Sequence, residues 1–549
     1  MTEQKQERFI IRSRTVFTGL GDAPQAARVA VQGGRIAALL PWAGSEDEPY
    51  ADWPVHDYGE RLVMPSFVDA HTHLFQGALE ESEYVCNTLG SCRSQEECVR
   101  EMAIFADRHP EYPVLRGSGW FLAAWTDDSY PDRRLLDKAL GDRPAFLMNA
   151  DCHSMWLNTA ALRMADLGDD YAPPGGEALR LSDGSLSGLL LEPEAYAPAE
   201  AIYSDFTDEE LQEVHRAFQQ KIAAYGIGAL SEMFADDYTP ETARRYGLVC
   251  ALDKTEGLSA QVYVYTRLFG YTSFEKFRAL QADCASPHFH LAGLKGFIDG
   301  VTETYTGLLL EPYTDDPSTC GQLKPPPREQ MEREIAAANR EGLQVRLHCI
   351  GDGAVRLALD LYEHSYRENG EKERQARNTI EHIENIHPYD IPRFAELGVV
   401  PSMQPYHLTL SNNGKVRQLG EKRCVLEFPV RTMQEACGHL AIGTDFPVVT
   451  INPFTTIYAA LTRCDDRGVP TGRNGAAQKL SLAEVLHAYT REGARVYHAE
   501  DDFGTLEAGK CANVIVLDRN LFRCVPEEIR RARVDVNYFE GREIYRMES

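Results

Sequence analysis

Several patterns that would indicate common kinds of protein are missing from this sequence. Its thirteen cysteines include no C-x-x-C pair, so neither a paired-cysteine zinc site nor a disulfide framework is indicated. No G-x-G-x-x-G, P-loop or G-x-S-x-G motif occurs, which argues against a nucleotide-binding fold and a serine hydrolase. No apolar run is long enough to span a bilayer, and MTEQKQERFI at the N-terminus lacks the apolar core of a secretory signal. We therefore expect a cytoplasmic protein with reduced thiols.

Basic residues are scarce relative to acidic ones. The 549-residue chain carries 56 Lys and Arg against 83 Asp and Glu, a formal net charge of −27. This balance argues against binding to nucleic acid or to an anionic membrane, because both need clustered cations. The chain does contain 43% hydrophobic residues, enough for a large globular core. We expect a small-molecule substrate, no nucleic-acid or membrane partner, and a homo-oligomer in the form of a dimer.

Short alternating segments of β type, broken by Gly and Pro, occupy both ends of the chain. Residues 8–63 contain RFIIRSRTVFTG and ARVAVQGGRIAALLP, and the C-terminal part contains ANVIVLDRN and VDVNYFEGREIYRM. The long middle of the chain does not consist of such short alternating segments. We therefore predict one small β-domain assembled from residues 1–65 and 500–549.

The middle of the chain, residues 66–499, alternates strand-like and helix-like pieces, as is typical of a parallel α/β architecture. Helix-type stretches such as REQMEREIAAANREG lie between many of the eight apolar runs of strand type. These runs are 66–73, 226–234, 259–268, 290–299, 343–350, 378–383, 399–404 and 439–446. Eight strands with intervening helices predict a (β/α)8 TIM barrel. A count of eight barrel strands requires 75–225 to be a cap-like insertion after the first strand. This insertion contains two further strand candidates, at 112–121 and 143–152.

Polar side chains gather at the ends of the predicted strands, where the active sites of barrels lie. In MPSFVDAHTHL, residues 64–74, the period of two places Asp69, His71 and His73 on one face. The other strand ends carry Lys295, His348, His382 and Asp445. One histidine at a strand end is more often a packed core residue than a ligand. Recurrence on five strands of one barrel favours a shared site.

These residue types suit a hydrolytic metal site. Imidazole and carboxylate groups are ligands of Zn²⁺ and similar divalent ions, and a catalytic ion keeps one position open for water. The ion lowers the pKa of that water towards about 7, so hydroxide becomes available at neutral pH. A nearby carboxylate can take the proton of the water and later give it to a leaving group. Asp445, in LAIGTDFP, is the candidate for this role.

Lys295 is the unusual member of the set, because apolar residues flank it in AGLKGFIDG. A buried ammonium group without a partner is unfavourable. Reaction with CO2 would convert it to a carbamate, an anion that can bridge two metal ions. The alternative is a salt bridge to Asp299 or another carboxylate. Within this constellation we favour the carbamate, since lysines with shifted pKa values cluster at functional sites.

Five motifs in this order resemble those of the amidohydrolase superfamily. They are DAHTH at 69–73, LKGFIDG at 294–300, LHCIGDGAV at 347–355, IEHIENIHP at 380–388 and GTDFP at 443–447. The similarity is closest to the family-3 branch of these metal-dependent hydrolases and extends over nearly the whole chain. It implies a (β/α)8 barrel with a small β-sandwich formed by both termini. It also implies hydrolysis of an amide-type C–N bond by metal-activated hydroxide.

The resemblance also implies a ligand set of two Zn²⁺ ions. His71, His73 and Asp445 would hold the more buried ion. His348 and His382 would hold the second ion, and carboxylated Lys295 would bridge the two. The branch contains one-metal and two-metal members, so the metal count stays open.

A few positions depart from the family pattern or suggest weaker roles. Ser66 stands where a glycine is usual and Asn513 where an aspartate is usual, but both lie outside the proposed ligands. Candidate substrate contacts are His153, Asn158, Gln404 and His407. A loop histidine is an equal alternative for His407, and capping of the following helix is an equal alternative for His153 and Asn158.

Two other functions remain open at this point. A one-metal deaminase of the same superfamily would expel ammonia, but such enzymes usually lack the bridging lysine and place a glutamate near the fifth strand. A non-catalytic relative would use the barrel as a binding or regulatory module. Loss of ligands would mark such a module, and all six expected ligands are present.

Overall fold

Strands and helices fill most of the chain in the computed structural model. The described residues are 8–43, 49–122, 125–126, 130–150, 154–271, 274–410, 414–473 and 475–548. The chain divides into two compact units, one made of Met1–Leu74 with Gln219–Ser549 and the other of Phe75–Phe218. Within the described ranges, no helix combines the length and apolar character needed to cross a bilayer.

The strands form three sheets and are numbered here in chain order. They are β1 (Arg8–Val16), β2 (Gln25–Gln32), β3 (Arg35–Pro41), β4 (Val55–Asp57), β5 (Leu62–Pro65), β6 (Phe67–Asp69), β7 (Leu115–Trp120), β8 (Ala145–Asn149), β9 (Ser154–Leu157), β10 (Glu177–Arg180), β11 (Leu186–Leu191), β12 (Ile227–Glu232), β13 (Gln261–Arg267), β14 (Phe289–Phe297), β15 (Gln344–Cys349), β16 (Thr379–His382), β17 (Val400–Met403), β18 (Ala441–Ile442), β19 (Val514–Leu517), β20 (Val534–Phe539) and β21 (Arg542–Arg546).

The helices are likewise numbered in chain order. They are α1 (Leu74–Glu80), α2 (Gln95–Arg108), α3 (Arg133–Leu140), α4 (Thr159–Met164), α5 (Pro193–Tyr203), α6 (Asp208–Ala224), α7 (Pro240–Thr255), α8 (Glu275–Asp283), α9 (Arg328–Arg340), α10 (Asp352–Asn369), α11 (Glu371–Ala376), α12 (Ile391–Leu397), α13 (Gly414–Arg423), α14 (Val430–Cys437), α15 (Pro453–Thr462), α16 (Leu482–Ala488), α17 (Arg491–Val496) and α18 (Pro526–Ile529).

The central sheet has eight parallel strands in the order β6, β12, β13, β14, β15, β16, β17 and β18. Each coincides with one of the eight runs predicted from the sequence, which confirms the α/β fold with a TIM-barrel sheet. Three backbone hydrogen bonds link the first strand region to the last: Ala70 N to Ile442 O (3.1 Å), Asp445 N to His71 O (2.7 Å) and His73 N to Phe446 O (2.7 Å).

Helices cover the outside of this sheet, and local sequence signals set where they begin. The Thr239 side chain accepts a hydrogen bond from Thr242 N, and Pro240 occupies the first turn of α7. The predicted helical stretch REQMEREIAAANREG is present as α9. Strands β6, β12 and β18 are buried along their whole length, as expected for a parallel sheet covered on both faces.

Strands from both termini share one sheet in the order β21, β20, β19, β5, β1, β2 and β3, with β4 paired to β1. The joint between the termini is the antiparallel pair β5 and β19, in which Met64 faces Ile515. Apolar side chains from both ends, including Val29 and Val536, pack into one buried cluster. The two-layer sandwich and the boundaries 1–65 plus 500–549 stay predictions.

The unit Phe75–Phe218 has its own five-stranded sheet in the order β10, β11, β9, β8 and β7. The strand candidates at 112–121 and 143–152 are present as β7 and β8. Trp120, Trp125 and Trp156 form a buried cluster with ring centroids 5.8–6.4 Å apart, so they pack the core of this unit. A cap-like role for this insertion stays a prediction.

Candidate metal centre

The structure brings the predicted strand-end residues together at the carboxyl ends of the central sheet. Ligand atoms of His71, His382 and Asp445 all lie within 4.8 Å of one another, and all three residues are buried. The Oδ1 atom of Asp445 is 2.9 Å from His73 Nε2 and 3.3 Å from His71 Nε2. The ring of His348 lies against that of His382, with 4.5 Å between centroids.

The backbone is in the left-handed region at two of these residues. His382 has φ +72° and Asp445 has φ +63°. For residues with a β-carbon this conformation costs about 1–3 kcal/mol and persists only where the surroundings enforce it. Near Asp445 the surroundings are tightly packed, since a β-carbon on Gly443 would lie only 2.5 Å from His71 N. The two segments are therefore held in close contact, and the Asp445 side chain projects towards the histidines.

Asp69 lies behind this contact and bonds to both segments. Its Oδ1 atom accepts hydrogen bonds from His71 N (3.2 Å) and Thr444 N (2.9 Å), and its Oδ2 atom accepts from Thr444 Oγ1 (2.8 Å). Burial raises the pKa of Asp69 to about 7, against the opposing effect of these hydrogen bonds. One carboxyl group thus ties the first-strand histidine segment to the Asp445 segment.

Glu381 is a site residue that the sequence reasoning missed. It is fully buried and accepts hydrogen bonds from His71 Nδ1 (2.7 Å), Arg346 Nε (2.8 Å) and Thr379 Oγ1 (2.9 Å). Strand alternation puts Glu381 and His382 on opposite faces, but the strand ends at His382, where the backbone turns. A usable signal was Arg346, because it lies two residues before His348 and thus on the same face of β15.

Hydrogen bonds select which nitrogen of each imidazole is free. A carboxylate can only accept, so His71 Nδ1 donates to Glu381. By the same reasoning His382 Nδ1 donates to Gln404 Oε1 (2.9 Å), and His348 Nε2 donates to Gly300 O (3.2 Å). In each neutral ring the remaining nitrogen carries a lone pair available to a metal ion.

Burial keeps these imidazoles neutral. It lowers the pKa of His71 to about 4 and that of His348 to about 3, and the nearby Lys295 ammonium adds to both effects. The pKa of His382 also lies well below its usual value, first because of burial. Burial alone would raise the pKa of Asp445, but His71 and His73 hold it well below its usual value. The cluster is therefore one ionised carboxylate among neutral imidazoles, which is a donor set of zinc type.

Lys295 is 1% exposed, and among the described residues its ammonium group has no hydrogen-bond or ion-pair partner. Burial lowers its pKa to about 8, and the carboxylates of Glu381 and Asp445 oppose that shift. The alternative salt bridge to Asp299 is not formed. Asp299 instead accepts hydrogen bonds from three backbone N–H groups, those of Leu308 (2.8 Å), Ile350 (3.0 Å) and Gly351 (2.9 Å).

Several buried polar atoms around this cluster have no hydrogen-bond partner, which fits a site built for a ligand or metal ion. In the part of the chain that the structure describes they include Lys295 Nζ, His73 Nδ1, Gln404 Nε2 and His407 Nε2. Native proteins pair most such atoms, so several at one place indicate groups that a bound species completes. The residues present therefore fit a divalent metal.

The four candidate substrate contacts fall in different places. Gln404 and His407 lie in the cluster: His407 Nε2 is 3.6 Å from Asp445 Oδ2, and its ring is nearly parallel to that of His382. The amide of Asn158 is engaged inside the insertion, where it accepts from Ala145 N and Ala161 N and caps α4. His153 lies outside the described residues. Substrate contact by any of the four stays a prediction.

Several known proteins resemble this chain over most of its length. N-substituted formamide deformylase of Arthrobacter pascens is 26% identical over 526 residues, covering 94% of each chain. Protein LONG AFTER FAR-RED 3 of Arabidopsis thaliana is 25% identical over 551 residues, covering 98% of this chain and 91% of that one. The putative amidohydrolase YtcJ of Bacillus subtilis is 24% identical and covers 88% and 89%.

A solved structure and the sequence pattern of a protein family give the same assignment as these relatives. An uncharacterized metal-dependent hydrolase from Pyrococcus furiosus superimposes with a TM-score of 0.73 at 24% identity, over 95% of this chain and 100% of that one, and so shares the fold. The sequence pattern of the amidohydrolase family matches residues 55–545, nearly the whole chain. The protein therefore belongs to the amidohydrolase family of metal-dependent hydrolases.

Proposed function

We propose that the protein hydrolyses a C–N bond of a small molecule, in an amide, N-acyl amine, formamide or cyclic amide. The observation that carries this proposal is the buried cluster of His71, His382 and Asp445 next to an unpartnered Lys295. N-substituted formamides are the first substrates to test. The relative named for that activity is similar over 94% of both chains.

The same residues suggest how a divalent metal would be held. His71, His73 and Asp445 would bind one ion, His348 and His382 a second, and carboxylated Lys295 would lie between the two. When bound, such ions polarise a carbonyl group and make water a better nucleophile near neutral pH. Zinc is the metal that best matches imidazole and carboxylate donors with an open position.

Asp445 would move the proton in this reaction. An oxygen lone pair of water attacks the carbonyl carbon while one water proton passes to the Asp445 carboxylate. The C–N bond then breaks, and its electron pair goes to nitrogen. Asp445 returns the proton to that nitrogen, so the products are a carboxylic acid and an amine. Glu381 and Gln404 would keep the His71 and His382 rings fixed throughout.

His407 and Gln404 would contact the substrate from the seventh strand. Both have a buried nitrogen without a hydrogen-bond partner among the described residues. These nitrogens lie on side chains that reach Asp445 or His382. N–H groups in such positions are suited to stabilise negative charge as it develops on the carbonyl oxygen.

The proposal is tested with a panel of N-substituted formamides, N-acyl amines and cyclic amides, assayed with added Zn²⁺. Release of amine from at least one class by the wild type, and its loss in Asp445→Asn, is the expected result. No amine release from any class would contradict the proposal. Carbamate formation at Lys295 is checked separately by carbon-13 NMR after labelling with bicarbonate, with Lys295→Ala as the control that lacks the signal.

A one-metal deaminase is the second candidate. The ligand atoms that lie within 4.8 Å of one another belong to three side chains, which suffices for one ion. Ammonia release from an amino-substituted ring, with one ion per chain, would favour this activity over amide hydrolysis. A homo-oligomer, as a dimer, and a cytoplasmic location stay predictions.

A further inference from the structure

A separate cavity of about 650 Å³ lies at the opposite end of the barrel strands from the metal centre. Ala224 and Tyr225 form part of its wall, immediately before β12 begins at Ile227. The chain leading into β20 and the start of α15 form other parts. Its volume is within the range of sites for small molecules, about 300–1,000 Å³.

The lining of this cavity is basic. Four of its lining residues are cations: Lys221, Arg530, Arg531 and Arg533. No aspartate or glutamate is among the lining residues. The whole chain has the opposite balance, with a net charge of −27. The lining of this concave site, with four cations and no acidic side chain, therefore has the opposite charge balance to the chain as a whole.

Two of these arginines lack carboxylate partners. In the ranges that the structure describes, the side chains of Arg531 and Arg533 make no ion pair, and both are exposed. Arg530 donates to the backbone oxygen of Asp466 and stands over the Tyr458 ring, so no carboxylate neutralises it there. The guanidinium groups are therefore available to an anion from solution.

A second cavity shows what a neutralised arginine cluster looks like in the same protein. It measures about 430 Å³ and contains three arginines, but also Glu60 and Asp518. There Arg519 is 2.6 Å from Asp518, and Arg523 is 3.4 Å from Glu60. Those arginines have internal partners. Among the described residues, Arg531 and Arg533 of the larger cavity have no carboxylate partner. Each cavity has three arginines, so the two differ in charge rather than in arginine content.

The start of α15 adds to the positive potential of the larger cavity. Asn452 and Phe454 both line the cavity, and Asn452 caps this ten-residue helix by accepting from Phe454 N (3.0 Å). The amino end of a helix carries partial positive charge and favours anions. The cations, the missing carboxylates and the helix end all act in the same direction.

We propose that this cavity binds a small polyanion, a molecule with two or more phosphate or carboxylate groups. Arginine forks match both groups through paired N–H donors. The site lies at the amino ends of the strands and uses none of the metal-centre residues. This inference is independent of the proposed hydrolysis.

Isothermal titration with inorganic pyrophosphate and with citrate tests this inference on the full-length protein. We expect saturable binding of at least one probe, at about one per chain. Arg531→Gln/Arg533→Gln should weaken it about tenfold or more, because charge-assisted hydrogen bonds are lost. Tighter binding of pyrophosphate would identify phosphate groups as the preferred ligand chemistry, and tighter binding of citrate would identify carboxylates.

Arg519→Gln/Arg523→Gln in the smaller cavity is the matched control and should bind both probes as the wild type does. Absence of saturable binding, or equal weakening in both double variants, would overturn the inference. Amide hydrolysis should be unchanged in Arg531→Gln/Arg533→Gln. A failed titration and a failed hydrolysis assay are thus separate results, and circular dichroism confirms that both variants are folded.

Discussion

Two histidines that contact carboxylates, His288 and His71, lie at opposite ends of the barrel and have opposite protonation. At the amino end, His288 Nδ1 is 2.6 Å from Asp253 and its Nε2 is 3.3 Å from Glu540. At the carboxyl end, His71 Nδ1 donates to Glu381, and its Nε2 is 3.3 Å from Asp445. The Asp445 carboxylate also lies 2.9–3.8 Å from three further histidines, His73, His382 and His407. The residue types are the same, and each ring has a carboxylate near both nitrogens. The difference is that His71 is more completely buried, lies near the Lys295 ammonium, and shares its second carboxylate with other histidines.

The difference separates a structural histidine from a candidate ligand. Burial would lower the pKa of His288, but hydrogen bonds to Asp253 and Glu540 prevail and raise it to about 9, so that ring is an imidazolium with both N–H groups satisfied. Burial lowers the pKa of His71 to about 4, so that ring is neutral and keeps a lone pair. A neutral ring with a lone pair, beside partnerless polar atoms, is therefore the feature expected of a metal ligand, and it occurs at the carboxyl end.

The largest expected effect comes from removing the carboxylate at the carboxyl end. Asp445→Asn should lower kcat about 10²–10⁴-fold, because the amide cannot accept and return the proton. Amine release from the best substrate of the panel measures this loss, and circular dichroism checks the fold. Near-normal turnover in this variant would contradict the role given to Asp445.

Glu381→Gln should weaken metal binding about 10–100-fold, because the amide no longer holds His71 as firmly. It should also destabilise the protein by on the order of 3 kcal/mol, since Arg346 keeps its buried charge but loses its carboxylate partner. Competition with a chelator measures the affinity. Glu492→Gln is the matched control, because Glu492 accepts from His439 (2.9 Å) outside the metal centre. Equal metal affinity in both variants would show that Glu381 has no positioning role.

The amino-end histidine should affect stability and not metal binding. The pKa of His288 is raised from 6.5 to about 9 in the folded protein, so its contribution is complete below pH 6.5 and disappears as pH rises through about 9. We expect about 2 kcal/mol over this window. Urea unfolding at several pH values should show this loss in the wild type and a flatter profile in His288→Gln. Parallel profiles would contradict the assignment of an imidazolium.

The smallest expected effect concerns Asn158 in the insertion. Asn158→Ala should destabilise the protein by about 1–2 kcal/mol, because it removes the cap of α4 and leaves Ala145 N without its partner. KM for the substrate should not change if the amide serves only as this cap. An increase in KM at unchanged stability would instead support the predicted substrate contact.

The eight strands and their polar ends could be predicted because both follow local rules. Apolar β-branched runs mark buried strands, and parallel strands bring their carboxyl ends to one side. His71, Lys295 and His382 therefore fell into one group without any knowledge of distances. The sheet shared by the two termini could likewise be predicted, because both ends of the chain contain short alternating segments of β type.

The supporting residues could not be predicted because their roles depend on contacts distant in sequence. Glu381 and His71 are 310 positions apart, and only the backbone turn at His382 places the glutamate beside the ring. The hydrogen bonds from backbone N–H groups to Asp299 were equally hidden, so the sequence alone left a salt bridge to Lys295 open as the alternative to the carbamate. The basic cavity joins residues from α6 to the C-terminus, and the overall charge of the chain masks it.

The metal content of the purified protein tests the central claim most directly. Elemental analysis of the wild type should find about two divalent ions per chain. The same analysis of His382→Ala should find less, while His288→Gln should match the wild type. Absence of bound metal in the wild type after incubation with Zn²⁺ would contradict the account, and equal metal loss in both histidine variants would contradict the distinction between the two ends of the barrel.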